Sequence, residues 1–512
     1  MISIDRIIDL SKMLQKGEIV MKKFIKIMSL VLALLMVTSV LLACDNNDNN
    51  DDPSKDSVVA TTDAETKSQS KLPAMNWGGV DYRVLGTDAT TKVFENFEVY
   101  RAEMPEDVVG VAVWNRNSTL LDKYGLNVTG TFYAEPGNIA KVSLDSGDDL
   151  YDLIICKGWQ MEPFAKEGQL VNMANLKYID FENDCWTDYA IEQMSFGGKL
   201  YYATNKFLLA DKHRLWAIWY NGDLARDLNV GYLEQEVFDN TWTLERVAQI
   251  AKTCAGEVDG SEGMTSGDRW GLLLSSPANW VPLAYGSGFR VSQKGVDNYP
   301  VMIGATDEML DIVDRVFEIT TDMSTCFMQY LRPTENENSA ETSEIWLAGR
   351  GVLYTHCISF SSNLYMATFE YGVLPMPKYT EEQQNYFCFP DTGNGCLFAV
   401  PATVNDIEKA GFGLQAISEE SVDTTYREYI DTKCKFQLAY DADMAKCFEL
   451  IFDSYVYDVG FVNNYGEIGD KLLWKMMQEE QQNTYARLWG SNEKRAKGQI
   501  KRLKEAYEAL PY

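Results

Sequence analysis

The six residues YDLIIC, Tyr151–Cys156, constrain this chain more than any other stretch. After Asp152 the run is apolar without alternation. A strand with one wet face alternates polar and apolar residues, whereas an unbroken run reads as a strand covered by helices on both faces, as in a parallel sheet. The residues upstream fit that reading. VDYRVLG (80–86) is a buried strand ending at Gly86. Val109, Val113, Leu120 and Tyr124 recur at helical spacing, with Gly125 as the stop, and LNVTGTFY (126–133) is a second strand. Strand, helix, strand and helix in alternation build an α/β lobe.

A second series follows. LYYAT (200–204) and LWAIWYN (215–221) read as strands, and Leu244, Val247, Ala248 and Ala251 form the apolar face of a helix begun by Thr241 or Thr243. RWGLLLSS, GVLYTH, YGVLPMPK and GCLFAVP supply further short strands, the last leading into a helix around Ala410 to Ile417. The stretch from Tyr426 to Tyr512 is rich in Leu, Met, Lys and Glu and is expected to be helical.

The N-terminal region carries an address. From Met21 to Cys44 a basic stretch (Lys22, Lys23, Lys26) precedes an apolar core from Leu30 to Leu42, then Leu41, Leu42, Ala43 and Cys44. This is the export signal of a bacterial lipoprotein. The apolar run is shorter than the ~20 residues of a membrane span. Cys44 is therefore expected to be the lipidated N-terminus after removal of 1–43, placing the protein at the cell surface on the outer face of the cytoplasmic membrane. Asp5, Asp9 and Glu18 do not suit a signal, so translation is expected to start at Met21. Residues 44–76 are polar and acidic and are expected to form a disordered linker. The DNNDNNDD run lacks the glycine and terminal glutamate of a calcium loop.

A net charge of −29 argues against nucleic acid or anionic lipid as partner, because both would be repelled. Nine cysteines remain beyond Cys44, scattered and without a CxxC pair, which is unlike a disulfide framework. Most are expected to be buried small hydrophobes, as suits an anaerobic host; Cys388 with Cys396 is the one pair near enough in sequence to consider.

The order of YDLIICKGW, FAKEGQLVNM, GGKLYYATNKF, LWAIWYN, NTWTLERVAQIAK, IWLAGRGVLYTH and YGVLPMPK resembles the extracellular solute-binding proteins of carbohydrate ABC transporters, family 1, the maltose-binding type. The likeness runs from Trp77 onward, and AVWNRNSTLLDKYG is similar to a clostridial, Gram-positive branch of that family. It implies a two-lobe periplasmic-binding-protein-like α/β fold of type II with an interlobe ligand cleft and a helical C-terminal region. Lobe one would hold residues 77–203 and 379–430, and lobe two 204–378 and 431–512, with crossings near Ala203 and Pro375 to Lys378. It further implies a monomeric receptor that closes on its ligand, probed by ABC permease subunits, with no cofactor and no catalytic residues.

Ligands in parallel α/β sheets bind beyond the carboxyl ends of strands. Asp88 and Trp159 follow strands of the first lobe, Trp280 follows RWGLLLSS, and His356, Ser359 and Phe360 follow GVLYTH. Asn205 and Lys206 follow the first crossing, and Asn394 lies in the turn DTGNG. Sugars present a polar rim and apolar C–H faces, and these aromatic plates beside a carboxylate and amides match that chemistry. The competing reading is a surface glycan-active hydrolase, which needs two carboxylates around the scissile bond. The 75 acidic residues leave such a pair open. No nucleophile elbow, HExxH, P-loop or metal-spaced His/Cys cluster appears, and His213 and His356 are the only histidines. An adhesive surface protein is a third reading, but it would not require two lobes around a cleft.

Overall fold

In the computed structural model, the apolar run after Asp152 is a central strand. The structure describes residues 69–88, 95–275, 279–329, 342–391, 393, 395–470, 475–477 and 482–511. The export signal, Cys44, the calcium-like run and residues 44–68 of the linker lie outside them. The strands are β1 (Val80–Thr87), β2 (Leu126–Tyr133), β3 (Leu153–Lys157), β4 (Trp216–Asn221), β5 (Trp270–Leu274), β6 (Ser292–Lys294), β7 (Pro300–Met302), β8 (Cys326–Met328), β9 (Gly351–Cys357), β10 (Tyr371–Leu374) and β11 (Cys396–Ala399).

Sheet one has the order β11-β3-β1-β2, with β1 parallel to β2 and β3 and β11 antiparallel to β3. Leu153, Ile154, Ile155 and Cys156 are all buried. Asp152, fully buried just before β3, is held by Arg83 at 2.9 Å and Lys409 at 3.0 Å, so its charge is paired rather than stranded. The helix Val108–Tyr124 starts at Asp107, whose side chain accepts from the Gly110 amide, and stops at Gly125 with φ 63°.

Sheet two has the order β10-β4-β9-β5-β8. Here β5 runs parallel to β8 and β9, while β4 is antiparallel to β9 and β10. Every residue of β5 is buried, and the helix Leu244–Cys254, capped by the Thr243 hydroxyl, turns Leu244, Val247, Ile250 and Ala251 inward. The hairpin β6–β7 and the helix Asp307–Thr321 are also present.

Three segments run side by side where the chain passes between the sheets. Leu215 pairs with Pro390, the Trp216 amide donates to the Phe389 carbonyl at 3.1 Å, and Cys388 bridges Tyr455. This places the passages at 214–216 and 388–391, later than the expected positions near Ala203 and Pro375 to Lys378. LYYAT is not a strand: Ala203 makes one isolated bridge, to Phe398 of sheet one. Lys378 still belongs with sheet two, since its carbonyl accepts from the Leu244 amide.

The C-terminal helix Tyr485–Ala509 does not pack on one lobe alone. Lys199 donates to the Tyr507 and Leu510 carbonyls, and the Tyr201 and Tyr507 rings meet edge-on at 4.9 Å. On the other side Lys504 pairs with Asp297 at 2.8 Å and the Tyr485 hydroxyl donates to the Gly304 carbonyl. The cysteines beyond Cys44 are all buried and none is in a disulfide, so Cys388 and Cys396 are not bonded to each other. Cys396 instead accepts a weak hydrogen bond from Asn96.

Candidate functional site

Strand direction fixes where a ligand could sit. Because β11 opposes β3, with Cys396 beside Lys157, the start of β11 lies at the same edge as the ends of β1, β2 and β3. In sheet two the start of β4 lies level with the end of β9, Trp216 beside Cys357. The Trp216 amide is tied to Phe389, and a few residues later the chain enters β11. The carboxyl-terminal edges of both sheets therefore border the same crossing, the position at which open α/β sheets bind ligands.

Polar groups converge there. Arg214 makes an ion pair with Asp391 and donates to the Ser359 hydroxyl at 3.2 Å, linking the two crossing segments to the end of β9. Asn96 accepts from the amide of Thr87, the last residue of β1, at 2.8 Å, and donates to Glu98. Glu98 is fully buried and accepts from the Ala210 amide at 3.3 Å; burial pushes its carboxyl up to about 7. Among the described residues, Thr87 Oγ1, Glu98 Oε2, Trp280 Nε1 and Thr355 Oγ1 are buried near these strand ends without a hydrogen-bond partner.

The residues singled out from the sequence divide. Trp159 is the second residue of the helix Gly158–Lys166, directly after β3, and 47% of it is exposed. Gly158 opens that helix, and its amide donates to the Gly395 carbonyl at 3.1 Å. Asp88 lies one residue beyond β1, half-buried, its amide donating to the Tyr133 carbonyl. Ser359 joins the Arg214–Asp391 pair. His356 is half-buried among Trp216, Tyr354 and Phe360, and desolvation lowers its pKa to about 4, keeping the ring neutral.

Three of the others are enclosed by packing. Phe360 is 1% exposed and packs edge-on against Trp219, Trp346 and Tyr354, which makes it a core residue rather than a plate. Trp280, expected in a loop, opens the helix Trp280–Gly286 and is fully buried. Asn205 is buried and spent on Ser418, which accepts from its amide, and on the Phe207 amide, which it accepts. The Lys206 ammonium lies 5.5 Å from the centre of the Tyr426 ring. Asn394 lies outside the described residues. The sequence reading missed Arg214, Asp391 and Glu98. For Asp391 there was a signal, since it begins the same DTGNG turn; Glu98 had none.

No protein-family model and no curated protein matches the sequence. Among solved structures the chain is similar to an ABC substrate-binding protein of Listeria monocytogenes in complex with cycloalternan, at 14% identity and a TM-score of 0.52, over 82% of this chain and 98% of that one. It is also similar to UspC of M. tuberculosis, at 12% identity and a TM-score of 0.53, over 82% of this chain and 100% of that one. A third likeness is to UgpB of Mycobacterium tuberculosis in complex with glycerophosphocholine, at 12% identity and a TM-score of 0.51, over 83% of this chain and 99% of that one. At these identities the likeness establishes the fold: a two-lobe, periplasmic-binding-protein-like α/β fold.

Proposed function

We propose that this chain is the extracellular substrate-binding receptor of an ABC importer, that its ligand is a sugar or oligosaccharide, and that lobe closure presents the loaded form to the permease subunits. The observation that carries this reading is the meeting of both carboxyl-terminal sheet edges at one crossing, with the exposed Trp159 on the rim. Trp159 stacks on the apolar face of a sugar ring, while Asp88, Ser359 and Asn394 meet its hydroxyls and Arg214, paired with Asp391, holds Ser359. Closure is a hinge motion, and segments 214–216 and 388–391 are where the backbone would flex. Cys44 carries the lipid that keeps the receptor at the outer face of the membrane, and mass spectrometry of the mature N-terminal peptide checks that assignment.

The protein binds and does not turn over. The lipoprotein signal would equally suit a surface hydrolase, so the deciding experiment is incubation of purified protein with a panel of mono- and oligosaccharides. Calorimetry should find stoichiometric binding of one of them, and chromatography should find it intact afterwards. Multiple-turnover cleavage would replace the receptor with the hydrolase. A panel without any saturable binder would remove carbohydrate as the ligand class.

A further inference from the structure

Sheet two has a second recess at its other edge. β4 begins at the crossing with Trp216 and ends at Asn221, and Tyr220, near that far end, lines a cavity of about 730 Å³ together with Tyr371, the first residue of β10. That volume is in the usual range for a small-molecule site. Tyr232 and Tyr440 also line it; they are 49% and 61% exposed, and the Tyr440 ring meets Tyr371 edge-on at 4.8 Å. Four aromatic rings thus surround a recess open to solvent.

Its charge is one-sided. The lining carries three carboxylates, Glu234, Glu370 and Asp441, against the single guanidinium of Arg226. That guanidinium is already engaged by Glu370 and by Asp223. Glu234 is 2% exposed; one of its oxygens accepts the Tyr220 hydroxyl, and the other has no partner. Burial raises its pKa, and Asp441 and Asp443 raise it further. A buried carboxylate with an unused oxygen, in a recess with two further acids, lacks a positive charge.

We propose that this cavity is a binding site for a small organic ammonium cation, held over the tyrosine faces by cation–π attraction and by the charge of Glu234, separate from the interlobe site. A neutral sugar would leave the one-sided charge of the lining unanswered. An anion would meet three carboxylates. A cation uses both what the rings and what the acids provide.

The test titrates the full chain with tetramethylammonium chloride, against sodium chloride at equal ionic strength and against tert-butanol, the neutral molecule of the same shape. Saturable binding of tetramethylammonium alone is expected. Tyr440→Ala, at an exposed position that leaves the fold intact, should weaken it by roughly tenfold. Glu234→Gln should weaken it comparably and flatten its pH dependence, because in the wild type affinity rises as pH rises and the carboxyl ionises. Trp159→Ala should leave it unchanged, which separates this site from the sugar site. Equal binding of tert-butanol, absence of saturation, or full affinity in Tyr440→Ala would each overturn the proposal, and if Glu234→Gln does not fold, Tyr440→Ala decides alone.

Discussion

Replacing Glu98 with glutamine should remove a specific part of the pH dependence of stability. Glu98 is fully buried, and the hydrogen bonds from the Ala210 amide and Asn96 do not offset its desolvation. Asp211 adds repulsion, while Arg116 pulls the other way. The carboxyl moves from 4.5 to about 7 in the folded state. Below pH 4.5 both folded and unfolded chains hold the proton, and no difference arises. Between 4.5 and 7 the folded chain holds a proton that the unfolded chain has released, so stability falls as pH rises. The full loss amounts to ~3 kcal/mol, most of it between pH 5 and 8. Glutamine keeps the acceptor oxygen and carries no charge, so it should not show this loss. Urea unfolding of both proteins from pH 5 to 8 provides the readout as a difference, in which titrating groups not coupled to Glu98, such as His213 and His356, cancel. The wild type should lose ~2 kcal/mol or more relative to Glu98→Gln across that range. Parallel stability profiles would show that Glu98 is solvated or firmly paired, and the reasoning would fail.

Trp159→Ala should weaken binding of the identified ligand by roughly thirtyfold, as truncation of a central aromatic anchor does, with little change in the ligand-free melting temperature; unchanged affinity in calorimetry would take Trp159 out of the site. Phe360→Ala should behave oppositely, costing ~3–5 kcal/mol of stability by denaturant unfolding because the ring is enclosed by Trp219, Trp346 and Tyr354. A stable Phe360→Ala protein with impaired binding would restore Phe360 as a ligand plate. The native protein should label slowly with a thiol reagent and rapidly after denaturation, since the cysteines beyond Cys44 are buried and the Cys388 thiol is pushed up to about 12. Fast labelling of several thiols in the native state would contradict their burial.

The α/β fold and most strand positions were legible because buried strands announce themselves. YDLIIC, RWGLLL and GVLYTH each carry a run of consecutive apolar residues, and each became a central strand. The helix over Val108–Tyr124 was legible for the same kind of reason: apolar spacing followed by a glycine in the left-handed region. LYYAT failed because apolar composition also suits a buried extended segment that pairs at a single residue. The short strands β6, β7 and β8 carry no periodicity long enough to read.

The site was less legible than the fold. Position after a strand nominated Trp159 and Ser359 alongside Trp280 and Phe360, but it could not tell an exposed ring from a buried one, and Trp280 and Phe360 turned inward. That distinction depends on what packs from distant parts of the chain, such as Trp346 against Phe360. Arg214 and Asp391 are far apart in sequence, and only their pairing across the crossing gives either of them a role.

The place of β11 in sheet one has a consequence for how such a chain can be made. β11 closes the outer side of β3, yet every strand of sheet two is synthesised between them. Until residue 396 has emerged, the backbone of the most apolar strand in the first sheet presents an unpaired edge, which is a template for pairing with another chain. The N-terminal sheet cannot therefore mature ahead of the rest, and a product that stops before β11 should aggregate rather than persist as a folded half.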